Sequence, residues 1–184
     1  MKIWSKILLL TLAANFAFAF SAGKLVQDAR AQVGQTLFYD PSYERLAYPM
    51  GDVDIIKGVC TDVVVRALRR QDIDLQWLIH EDMSANFNAY PKNWSAKKTD
   101  KNIDHRRVPN IATYLKRKGY EAKGEFKAGD IVTWRLDNGR PHIGIVSDKF
   151  AGGKTPLVIH NIGLGAQEED VLNEYEITGH FRIK

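Results

Sequence analysis

The hydrophobic pattern of this chain changes period near residue 130, and that change limits the architectures open to it. Between Lys24 and Lys118, apolar residues recur at spacings near three and four. Beyond Asp130 they form short blocks rich in Val, Ile, Thr and aromatic residues, bounded by turn signals. Helices first and antiparallel strands second predict an α+β domain, with the helices packed on one face of the sheet.

The helical part reads in four pieces. Leu25, Val26, Ala29, Val33 and Leu37 give a helix over 24–37. The stretch FYDPSYERLAYPMGD breaks the pattern with two prolines and a glycine, and the segment from Phe38 to Val59 reads as a long aromatic-rich loop or short extended piece. A second helix runs from Cys60 to Arg70, with Val63, Val64, Ala67 and Leu68 inward. Asp74 is an N-cap for a third, to about Asn86. The polar stretch from Asn88 to Asn110 reads as surface loop. Pro109 near the start and Gly119 as stop mark a helix over 108–118. Strands are expected at 130–136, 141–148, 157–163 and 174–183, with Asn138-Gly139 turning the first hairpin.

The start, MKIWSKILLLTLAANFAFAFSAG, has the order of a secretory signal peptide. Lys2 and Lys6 precede a short apolar run, and Ala17-Phe18-Ala19 supplies a small-x-small site with cleavage expected after Ala19. The run is too short for the roughly 20 apolar residues of a membrane span. The expectation is therefore an exported protein, periplasmic in a Gram-negative bacterium and soluble after cleavage, with a single domain over 20–184. Without the two signal lysines the chain has 24 basic and 22 acidic residues. The near balance, and the scatter of the basic residues, exclude nucleic acid as a partner.

Cys60 is the only cysteine. No internal disulfide can form, so stability must come from an ordinary hydrophobic core. A lone thiol in an oxidising compartment is either deeply buried or kept for its reactivity. Its setting is GVCTDVVVRAL. Gly58 allows a tight turn, and the residues after Cys60 are helical in pattern. Unpaired amides and the positive end of the helix dipole favour thiolate there, so the thiol pKa is expected to fall, opposed by Asp62. His142 opens one strand and His160 nears the end of the next, so the two can share a sheet face. The thiolate would attack a carbonyl carbon, His142 would take up and return the proton, and His160 would accept a hydrogen bond that fixes the tautomer of His142. Asn161 is a rival for that orienting role, since strand alternation puts only one of the two inward. Oxyanion donors include the Cys60 amide, with Tyr39, Tyr43 or the loop before Gly58 as further possibilities. Trp134 and Trp94 could line a groove.

Together GVCTDVVVRAL, IDHRRVPNIATYL, AGDIVTWRL, PHIGIVSD, VIHNIG and ITGHFRI resemble a family of uncharacterised exported bacterial proteins, the domain of unknown function 1287. The resemblance runs from about Ala29 to the end. That family is grouped with the NlpC-type cell-wall cysteine peptidases, papain-like in core fold. The resemblance implies a papain-like α+β core, Cys60 as nucleophile, His142 as base and His160 as third polar member. It implies an amide substrate in cell-wall peptide, cleaved through a thioester, and no cofactor. The peptidases place an aspartate before the cysteine and serine-glycine after it; here Val59 precedes, and Thr61-Asp62 follow. In IDHRRVPN, the cluster Asp104, His105, Arg106 and Arg107 is expected to bind substrate, an arginine pairing with a carboxylate; the alternative is a solvated loop with Asp104 bonded locally. Asp62, Trp134 and Asn161 join that substrate-binding set, and His105 is a rival base.

Two other classes bear on the same residues. A non-catalytic wall-binding protein would need no reactive Cys60. A metal site could draw on Asp52, Asp54, His80, Glu81, Asp82, His105, His142 and His160, but no run has the spacing of a zinc signature, and no metal is expected.

Overall fold

The structure, a computed structural model, describes residues 20–184. The expected export signal, 1–19, falls outside them. Among the described residues no helix is long and apolar enough to cross a membrane.

Four α-helices precede the main sheet among the described residues. Helix α1 spans Ala22–Arg30, where the Ser21 side chain accepts from the Lys24 amide. It stops seven residues short of the expected Leu37. Turns follow, and Gly34 adopts φ +80°, which leaves Val33 and Leu37 exposed rather than inward. Helix α2 spans Cys60–Arg69, α3 Leu75–Ala85 with the Asp74 carboxylate on the Gln76 amide, and α4 Val108–Arg117 with proline in its first turn. The segment between α1 and α2 folds back on itself. Its ends form a two-residue parallel pair, β1 Phe38–Tyr39 and β2 Lys57–Gly58, which brings Tyr39 beside the start of α2.

The strands β3 Ile131–Arg135, β4 Pro141–Ala151, β5 Thr155–Asn161, β6 Ala166–Glu169 and β7 Glu176–Phe181 form one antiparallel sheet in the order β6-β5-β4-β3-β7. The hairpin turn has Gly139 at φ +77° and a Leu136–Arg140 backbone bond of 2.9 Å. Strand β6 is absent from the expectation. AQEE lacks an alternating apolar set, and its place at the sheet edge is held by backbone pairing with β5.

Alternation decides what each face meets. Phe181, Ile131, Ile145 and Ile159 are successive cross-strand partners, and all four face the helices. There they join Leu25, Val63, Val64, Leu68, Ile79, Ile111 and Leu115 in the main core. Burying each such side chain is worth about 1.5–3 kcal/mol over leaving it exposed. The other face carries a smaller cluster of Val132, Trp134, Val146, Val158 and Leu172, closed by Phe126, Val171 and Tyr175. The fold is thus α+β, with all four helices on one face of the antiparallel sheet.

Candidate active site

Cys60 is the first residue of α2, and Asp62 closes that end of the helix. The Asp62 carboxylate accepts the Val59 amide at 2.7 Å, half of a capping box, since the N-cap, Val59, has no side-chain oxygen to return the bond. Arg106 grips the same carboxylate through Nε at 3.0 Å and Nη2 at 2.9 Å, with 2% and 4% of the two side chains exposed. Its guanidinium also donates to the carbonyls of Ser42 and Asp40. One ion pair thus ties the helix start, the 104–106 turn and the 40–42 segment together. Gly58 has a role other than the expected turn. It sits in β2, and an added Cβ would come within 3.1 Å of the Asp62 carboxylate and 3.2 Å of Arg66.

His142 is the second residue of β4 and pairs across the ladder with Trp134; their rings stack at 5.6 Å and 28°. The indole is fixed from behind by its N–H bond to the Leu172 carbonyl, 3.0 Å. His160 stands on the same sheet face one strand over, its Nδ1 2.8 Å from His142 Nε2. Gly144 permits this approach. A Cβ there would meet Val158 at 2.6 Å and the His160 Cβ at 3.1 Å. His160 in turn places Nε2 3.1 Å from Glu169 Oε2 on β6.

Helix and strands meet at a cleft of about 750 Å³, lined by Cys60 and His142 together with Tyr39, Trp94, Arg106, Arg107, Arg140 and Tyr175. Cys60 packs on the helix side next to Ile143, whose amide donates to the thiol. His142, one residue earlier, reaches the same cleft from the other side. Its Nε2 is committed to His160, which leaves Nδ1 as the nitrogen available to the thiol. No hydrogen bond joins the two.

The charge state of the empty site departs from expectation. Burial pushes the Cys60 thiol up to about 12, and Asp62 adds to the rise; the amides of Ile143, Thr61 and Cys60 oppose it without overcoming it. Burial, then the neighbouring His160, pushes His142 down to about 3. Thiol and imidazole therefore rest as a neutral pair. The helix-dipole argument loses because desolvation of a buried thiolate outweighs a few backbone donors. Tyr39 is pushed up to about 12, first by burial and then by Cys60 and Asp62, so its phenol stays protonated and can donate into the cleft. Tyr43 is instead bonded to Asp100 and Asn102.

The residues expected to bind substrate divide into two groups. Arg106 and Arg107 line the cleft. Asp62, Asp104, His105, Trp134 and Asn161 do not, and each is occupied otherwise. Asp62 is paired with Arg106 beneath the helix start. The buried Asp104 carboxylate accepts the Asp100 amide at 2.5 Å. His105 is buried with Nδ1 unpartnered, and burial, then Arg69 and Arg106, push it down to about 3. It does not reach the cleft, so it is no rival base there. Trp134 supports His142 from below. Asn161 points to the opposite face from His160, where its amide donates to the Gly58 carbonyl at 3.1 Å and braces the segment before Cys60. Sequence reasoning missed Arg140, Glu169 and the Ile143 amide. Arg140 and Glu169 carry no motif, and the third is backbone. Among the described residues no three His, Cys, Asp or Glu side chains gather to hold a metal ion.

An Escherichia coli (strain K12) protein, "Uncharacterized protein YijF", is 57% identical over 163 residues, covering 86% of this chain and 80% of that one. Among solved structures, NlpC1 from Trichomonas vaginalis matches with a TM-score of 0.46 at 16% identity, over 89% of this chain and 45% of its own. NlpC2 from the same organism matches with a TM-score of 0.42 at 14% identity, over 90% and 48%. The chain spans about half the length of these two structures. Residues 26–183 match the model of the domain of unknown function DUF1287, and the chain belongs to that family.

Proposed function

We propose that this protein is an exported cysteine amidase or peptidase that cleaves amide bonds in carboxylate-bearing peptides, with cell-wall stem peptides as the substrate class. The observation that carries the reading is the convergence of Cys60 and His142 on one cleft, with His142 held through Nε2 by His160 so that Nδ1 is left for the thiol. In the reaction, Cys60 Sγ attacks the carbonyl carbon as its proton passes to His142 Nδ1. The Cys60 amide and the Tyr39 hydroxyl supply donors for the oxyanion. The proton then goes to the leaving amine, and water resolves the thioester with His142 again as base. A periplasmic setting agrees with the signal-like start.

The walls of the cleft support the choice of substrate. Arg106 is neutralised by Asp62, whereas among the described residues Arg140 has no ion pair and Arg107 only a long one, 3.7 Å to Asp104. Arg107 also lies over the Trp94 ring at 5.0 Å. Asp137 is the only carboxylate in the lining. A bound carboxylate meeting an arginine makes a charge-assisted bond worth about 1.5–3 kcal/mol. Arg140→Ala is therefore expected to raise KM for a peptide with a free carboxylate by roughly tenfold or more, and to change KM little for the same peptide capped as an amide. Equal effects on both peptides would remove the carboxylate from the reading.

The deciding experiment incubates the protein with muramyl stem peptides and follows both products and protein mass. The expected result is cleavage, with a peptidyl thioester on Cys60 that hydroxylamine releases. Cys60→Ala should abolish both. A second reading, a wall-binding protein without catalysis, draws on the high thiol pKa and the missing Cys60–His142 bond. Saturable binding of stem peptides without turnover, unchanged in Cys60→Ala, would favour it.

A further inference from the structure

The hydrogen-bond chain that begins at His142 does not end at His160, and its far end dictates the proton positions along it. Glu169 as a carboxylate accepts only, so the His160 nitrogen facing it, Nε2, must carry hydrogen. A neutral His160, fully buried, then has a bare Nδ1. His142 Nε2, 2.8 Å away, must donate to it. The remaining nitrogen of neutral His142, Nδ1, is bare and can take a proton from the thiol. We propose that Glu169 is a positioning residue that sets the tautomers of both imidazoles and receives, through His160, the positive charge created when Cys60 ionises.

The step balances. The Cys60 proton moves to His142 Nδ1, the His142 Nε2 proton moves to His160 Nδ1, and the His160 Nε2 proton stays in its bond to Glu169. The result is thiolate at Cys60, neutral His142 with its hydrogen on Nδ1, and a His160 imidazolium against a carboxylate. The charge has moved from a ring stacked on Trp134, with no anionic partner of its own, to one that has such a partner. Glu169 is 45% exposed at the sheet edge, so water also solvates the carboxylate that completes the pair. The requirement for an acidic residue here was hidden in the sequence because β6 carries no apolar alternation to reveal its register.

This inference rests on the Cys60–His142 pairing of the proposed function, but its test needs no substrate. The purified protein is labelled with ¹⁵N-histidine, and long-range ¹H–¹⁵N spectra report which ring nitrogen carries hydrogen. Iodoacetamide reports how readily Cys60 ionises. Wild type should show the Nε2–H tautomer at both His142 and His160. Glu169→Ala should mix the His160 tautomers and slow alkylation by about tenfold or more. Glu169→Gln, whose amide oxygen still accepts, should keep the tautomers and slow alkylation less. Unchanged tautomers and rate in Glu169→Ala would overturn the proposal. Should that variant fail to fold, Glu169→Gln alkylating at the wild-type rate would overturn the charge transfer. His142→Ala alkylating as fast as wild type would sink the underlying pairing, whereas a slowed His142→Ala beside an unaffected Glu169→Ala would sink the relay alone.

Discussion

Replacing His142 by alanine is expected to lower turnover of a stem-peptide substrate by about 10²–10⁴-fold, the usual contribution of a positioned general base. The large effect follows from the resting charge state. With the thiol held near 12, almost no thiolate exists at neutral pH without a base at hand. His142, held down at about 3, is neutral and ready to accept a proton over the whole physiological range. The same values give the alkylation profile a sign. Iodoacetamide labelling of Cys60 should be slower at pH 7 than that of a free thiol of pKa about 8.5, and, because the thiol proton passes internally to His142, nearly flat through the neutral range; only without that base should it climb about tenfold per pH unit towards the thiol pKa. In His142→Ala it should be slower still at pH 7. Labelling at pH 6–7 faster than that of a free thiol would mean a standing thiolate–imidazolium pair, and would overturn the neutral resting state. Unchanged turnover in His142→Ala would remove that histidine from catalysis.

Arg106→Ala is expected to cost stability on a comparable scale. It would leave the Asp62 carboxylate buried without its cation and orphan the carbonyls of Asp40 and Ser42. Breaking a buried ion pair on one side costs about 3–5 kcal/mol, a drop in melting temperature of roughly 10 °C for a chain of this size. Urea unfolding measures it. Replacing both partners, Asp62→Leu with Arg106→Met, should restore part of the loss, since an apolar pair leaves no uncompensated charge. A loss below about 1 kcal/mol in Arg106→Ala would show that the guanidinium is not the tie between α2 and the 104–106 turn. The cluster IDHRRVPN then has a physical reading of its own. His105 and Arg106 are buried, Arg106 against Asp62 at the start of the helix that carries the thiol, and of the cluster only Arg106 and Arg107 reach the cleft lining.

Legibility in the sequence followed the range of the forces involved. Helices α2, α3 and α4 were readable because caps and apolar spacing act within a few residues: Asp74 on the Gln76 amide, Pro109 in the first turn of α4. The β3–β4 hairpin was readable because Asn138-Gly139 settles its turn locally. The end of α1 was misread because Val33 and Leu37 continue the period although no neighbour covers them. The short pairing of β1 with β2 depends on the chain returning after some twenty residues, which no local pattern records. The Cys-His-His set was legible as residue types in suitable elements, whereas its charge state was not. A helix start alone favours thiolate; the burial that reverses the preference comes from the core packed between the helices and the sheet.

The order of helices before strands, the single thiol at a helix start and the strand positions of His142 and His160 were determined by the sequence alone, because period, capping and alternation are short-range. Tertiary structure decided that His160 rather than Asn161 turns to His142, that Asp62 and Arg106 neutralise each other, and that Arg107, Arg140 and Tyr39 line the same cleft as the thiol. It also added Glu169 to the hydrogen-bond chain. Each of these depends on which segments distant in sequence are brought within a hydrogen bond of one another, and on how much water is left between them.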